Sequence, residues 1–224
     1  MAQLNQQDIN QQDINHMIQL LNQGHLAAAE SSAKKLISQF PNVFVLHHVL
    51  SLALDQQQKY AEAATSYRNA LKLQPNTPDL LFNLAIVLTH INQLEEAENS
   101  YRSAIKLNPR FFEAYGNLGI LLQQQGKLDK AIASYQAGLK INPQDARAYF
   151  NLGTVLRDKG LLADAVDSYQ NAIKLFPNYT DAYNNLGETL RDQGNMVEAI
   201  KHYQQALSLN PDHALANYNM AEFL

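Results

Sequence analysis

Cysteine is absent from all 224 residues, so the chain has no disulfide framework and no thiolate metal site. Tryptophan is absent too. The net charge is only −4, and lysine and arginine form no block. That excludes nucleic acid or an anionic membrane as the main partner. No apolar run is long enough to span a bilayer. The N-terminus has neither the basic start nor the apolar stretch of a secretory signal, so a cytoplasmic location is the default expectation. Catalytic signatures are missing: there is no GxSxG elbow, GxxxxGK[ST] loop, GxGxxG or HExxH. The histidines are scattered, and the adjacent His47 and His48 diverge by about 100° on a helix and do not chelate. We therefore expect no catalytic residues, no metal and no cofactor.

Proline is scarce, but its placement is regular. Pro41, Pro75, Pro109, Pro143, Pro177 and Pro211 stand 34 residues apart, and of the seven prolines only Pro78 is out of phase. A fixed period of this size signals a repeat architecture, in which each unit buries its apolar face against its neighbours.

Taking Ala146 as position 1 of a unit, Tyr149, Leu152, Gly153 and Leu156 stand at positions 4, 7, 8 and 11. They share one face of a helix at 3.6 residues per turn. Ala165, Tyr169 and Ala172, at positions 20, 24 and 27, do the same for a second helix. Glycine at position 15 (Gly24, Gly126, Gly160, Gly194) ends the first helix in a left-handed conformation. Gln58 and Asn92 stand there in two units, where glutamine is the poorer fit. The proline at position 32 ends the second helix. Small residues at 8, 20 and 27 let the pair approach closely. Each unit is thus a helical hairpin with one apolar seam.

This pattern resembles the tetratricopeptide repeat, with tyrosine in place of the usual tryptophan at position 4. The resemblance implies an all-α fold, a right-handed superhelical solenoid of antiparallel helix pairs. After a polar lead over residues 1–9, a single solenoid is expected over 10–224. Its units are 10–43, 44–77, 78–111, 112–145, 146–179 and 180–213, followed by a partial unit, 214–224. Unit 10–43 reads as an N-terminal cap. Asp13 and His16 hold its positions 4 and 7, and Ile14, Met17, Ile18 and Leu21 form a shifted stripe. The partial unit, with Met220, Ala221 and Leu224 at positions 7, 8 and 11, suggests a fragment of a longer chain. Its uncapped end would favour self-association.

In this family the first helices line a concave groove, and positions 2, 5, 6, 9, 12 and 13 lie opposite the seam. Position 6 is Asn83, Asn117, Asn151, Asn185 and Asn219 in successive units. Asparagine in a helix interior is worse than alanine by roughly 0.5 kcal/mol, so intrinsic preference does not place it there. An amide donates and accepts, and can bond the main chain of an extended peptide. The row resembles the asparagine ladder in the repeat domain of O-linked N-acetylglucosamine transferases, most closely in the segment from Ala182. That resemblance implies a polypeptide held in the groove. Phe82, Phe150 and Tyr218 at position 5 would add apolar contact, and Arg157 and Arg191 at position 12 would attract carboxylates. Two other readings stand beside a protein- or peptide-binding module. One is the substrate-recruiting arm of a larger glycosyltransferase or sulfotransferase. The other is a scaffold that assembles through open solenoid ends.

Overall fold

The computed structural model describes residues 9–222. Nearly all of the polar lead, and Leu224, fall outside the described residues. Among those described there are thirteen α-helices and no strand. They are α1 (Gln11–Asn22), α2 (Leu26–Gln39), α3 (Phe44–Gln56), α4 (Tyr60–Leu73), α5 (Pro78–His90) and α6 (Leu94–Leu107). There follow α7 (Phe112–Gln124), α8 (Leu128–Ile141), α9 (Ala146–Asp158), α10 (Leu162–Leu175), α11 (Thr180–Asp192), α12 (Met196–Leu209) and α13 (Ala214–Ala221). The chain divides into two compact units, 1–109 and 110–224, at the turn between α6 and α7. In each unit every helix packs on the next, so the hairpins stack side by side.

The six turns from first to second helix close alike. In unit 146–179 the Gly160 N–H donates to the Arg157 carbonyl at 2.8 Å, and the Leu161 N–H donates to that of Leu156 at 2.9 Å. Gln58 and Asn92 make the same pair of bonds, with φ of 60° and 58°. The stack therefore imposes the left-handed conformation even where a side chain opposes it. Left-handed backbone costs an L-residue roughly 1–2 kcal/mol, part of which glycine returns as entropy of the unfolded chain. Gln58→Gly is accordingly expected to stabilise the protein by about 0.5–1 kcal/mol, read as a raised urea midpoint at unchanged m-value.

The seam is built on glycine against tyrosine. Tyr135, Tyr169 and Tyr203 at position 24 are fully buried. They pack against Gly119, Gly153 and Gly187, where an added Cβ would stand 2.6–2.8 Å from the nearest ring carbon. The buried stripe of the first helix is broader than expected. Ala148, Leu152, Val155 and Leu156 at positions 3, 7, 10 and 11 are buried, whereas Tyr149 at position 4 is only half-buried. In the first hairpin the shifted stripe holds: Ile14, Met17 and Leu21 are buried, while Asp13 and His16 face solvent.

Candidate functional site: the outer faces of the first helices

The first-helix face opposite the seam is polar and half-open. In the second unit it presents Asn117 of α7, Asn151 of α9 and Asn185 of α11, each half-buried, and in the first unit Asn83 of α5 is likewise half-buried. Among the described residues the side-chain amides of Asn117 and Asn151 make no hydrogen bond within the chain. Asn185 accepts from the Asn184 amide at 3.2 Å and lies beside the Tyr169 hydroxyl. Asn83 lies beside the Tyr67 hydroxyl.

Asn219 departs from this row. It is only 4 % exposed, and its amide donates to Asn184 Oδ1 at 3.0 Å and Glu188 Oε1 at 2.9 Å. Asn184 is itself fully buried and donates to Glu188 Oε1 at 3.3 Å. Asn219 therefore docks α13 on α11 and has no amide hydrogen free for a ligand. The reason is local. Position 5 of this unit is a buried asparagine where other units carry isoleucine, histidine, phenylalanine, glycine or tyrosine, and it attracts the next helix's amide inward.

The arginines are also engaged. Arg157 donates to Glu188 Oε2, and Arg191 donates to Glu222 Oε2 at 2.8 Å. Each is an ion pair from position 12 of one first helix to position 9 of the next. Neither arginine stands as the open carboxylate receptor the sequence suggested. Burial pushes the Glu188 carboxyl up. The Asn219 bond, the Arg157 charge and bond and the Asn184 bond outweigh it and hold the group below the usual carboxylate range. A sequence signal existed for these pairs: an acid stands 31 residues after each arginine, one repeat less one helical turn.

The aromatic residues at position 5 divide. Phe150 packs on Tyr169 and Tyr179, with ring centroids 5.8 and 4.8 Å away, and Phe82 packs on Tyr101 at 5.9 Å. Position 5 lies one turn before position 8, so its ring meets the tyrosine lying over that small residue. These rings belong to hairpin packing more than to the open face. Tyr218 is 67 % exposed.

No group of acids and histidines able to hold a metal occurs among the described residues. No helix among them is long and apolar enough to cross a membrane.

Paired helices at a 34-residue period define a repeat protein, and the family profiles agree. One tetratricopeptide repeat profile matches residues 48–110, 90–146 and 117–179, and a second matches 180–213. The chain belongs to the tetratricopeptide repeat family. No curated protein sequence matches it significantly. Among solved structures it resembles YrrB, described as a TPR protein with an unusual peptide-binding site. The TM-score is 0.73 at 22 % identity, over 86 % of this chain and 98 % of that one. It also resembles Pseudomonas aeruginosa PilF, with TM-score 0.75, 18 % identity and coverage of 94 % and 96 %. Residues 41 to the end of MamA from Desulfovibrio magneticus give 0.72 at 22 % identity, over 76 % and 97 %. At these identities the likeness is one of fold.

Proposed function

We propose that the chain is a protein–protein interaction module that holds an extended polypeptide against its first-helix faces, with position-6 asparagines bonding the ligand's main chain. The observation that carries this reading is the pair Asn117 and Asn151. Their amides are half-open and unpartnered among the described residues, whereas Arg157 and Asn219 are engaged within the chain. A helix that gains nothing from asparagine for its own folding has these amides to offer to a repeating backbone. Asn185 and Asn83 extend the reading within their own units. Asn219, Arg157 and Arg191 are withdrawn from it. Main-chain recognition of this kind tolerates many ligand sequences.

The test is selection of a random decapeptide display library on the full chain, followed by affinity measurement on the enriched peptides. Each amide bond contributes about 0.7–1.4 kcal/mol, so Asn117→Ala with Asn151→Ala is expected to weaken binding by roughly ten- to a hundredfold. The helical circular dichroism should be unchanged. Equal affinity for parent and double variant would remove the asparagines from the site.

A further inference from the structure

Asp55, at position 12 on α3 in the first unit, is a half-buried carboxylate whose charge the fold does not require. The Tyr67 hydroxyl donates to its Oδ2 at 3.2 Å. Tyr67 is fully buried, so an acceptor for that hydroxyl offsets its lost hydration. Two sister repeats meet the same need without charge. The Tyr169 hydroxyl donates to Thr154 Oγ1 at 3.2 Å, and Thr89 at position 12 lies beside the Tyr101 hydroxyl. A neutral threonine does this at lower desolvation cost than a carboxylate.

The chain's nearby cations are committed elsewhere. Lys59 pairs with Glu30 at 2.8 Å and Arg68 pairs with Glu96 at 2.7 Å. Among the described residues His90 is close enough for its charge to act on Asp55, and its ring stacks on Tyr60 with centroids 4.3 Å apart and planes 6° from parallel. The carboxyl accordingly sits above the usual range: burial raises it, more than the Tyr67 bond and His90 lower it. Asp55 Oδ1 has no partner among the described residues.

Tyr67 joins this carboxylate to the row, since its hydroxyl lies between Asp55 and Asn83. An acid, two stacked rings and a ladder amide thus stand together on α3, α4 and α5. We propose that this group is a subsite for a lysine or arginine side chain of the bound polypeptide. The cation pairs with Asp55 Oδ1 and lies against the Tyr60–His90 stack while Asn83 bonds the adjoining main chain. A half-buried carboxylate without a cation gains from a ligand's charge what it loses by its own burial. Stacked rings add attraction for a cation. The inference rests on the peptide-holding reading above and gives it a sequence preference.

The variant that tests it is Asp55→Thr, which copies Thr89 at position 12 of unit 78–111 and keeps an acceptor for Tyr67. Parent and variant, both as full chains, are each selected against the same random decapeptide display library. The parent is expected to enrich a basic residue at one fixed register. The variant should lose that enrichment while keeping peptide binding. For one enriched peptide, changing the basic residue to norleucine should weaken binding to the parent about tenfold and leave the variant indifferent. Asn-dependent enrichment in the parent without a fixed basic position overturns the subsite and leaves the peptide-holding reading intact. So does a basic preference that Asp55→Thr retains. Absence of any enrichment that an Asn83→Ala chain lacks overturns the subsite together with the peptide-holding reading of the first unit.

Discussion

Gly119→Ala is expected to destabilise the second unit by about 2–3 kcal/mol, the range of an overpacked core. The new Cβ would stand 2.6 Å from Tyr135 Cε1 and 2.7 Å from Cζ. Tyr135 has no exposed surface, so its ring has nowhere to turn. Relief requires α7 and α8 to move apart, which opens the contacts of Leu118, Leu121 and Leu122, all buried on α7. The first unit supplies the comparison. There Ala85 and Ser51 occupy the same position against Tyr101 and Tyr67, so a hairpin set for a Cβ carries one throughout. The cost at Gly119 therefore belongs to a spacing fixed by the neighbouring hairpin of unit 146–179, which has its own glycine against Tyr169. Urea unfolding of parent and variant measures the loss. The pairing with Tyr135→Leu tests its origin, because removing the ring should cancel most of the alanine's effect. A midpoint unmoved by Gly119→Ala would show that the ring is not locked over the helix.

Whatever recurs with the period could be read from the residues. Position 15 is one case: the left-handed turn is demanded by two helices meeting at a fixed point, so it persists through Gln58 and Asn92. The glycine–tyrosine seam is another, since both partners lie in one unit. What could not be read depends on residues that do not recur. Asn219 sits at a ladder position, but Asn184 and Glu188 decide its fate, and no other unit has that pair. Phe150 at position 5 lies opposite the seam of a lone helix. In the fold the partner tyrosine reaches it across the small residue at position 8. The acids that Arg157 and Arg191 donate to stand in the next repeat, outside their own repeat's pattern. Fold follows from period and seam, both internal to a unit. The open face is a property of successive units, where single substitutions redirect polar groups.

Glu188 is where this matters most for stability. It is the shared acceptor of Asn184, Asn219 and Arg157, and so ties α9, α11 and α13 together. Glu188→Ala leaves one fully buried amide and one nearly so short of an acceptor, and leaves a half-buried guanidinium with only Asp192 at 3.9 Å. Stranded groups of this kind cost about 1–3 kcal/mol each, and partial relaxation brings the expected loss to about 2–4 kcal/mol. The loss should be local. Helix α13 packs chiefly on α12 and, through Asn219, on α11, so its backbone amides should exchange with solvent far faster while those of α7 to α10 hold. Acid should act in the same direction. The folded carboxyl lies below its unfolded value, so the folded state binds fewer protons. Its contribution is therefore complete above the unfolded carboxylate range and disappears as pH falls through the folded value. Glu188→Gln keeps one acceptor oxygen for the amides but loses the charge facing Arg157. It should fall between parent and alanine at neutral pH, with a flatter acid limb. If exchange in α13 is equally slow in parent and Glu188→Ala, apolar packing of Ala216 alone holds that helix, and Asn219 regains its freedom to meet a ligand.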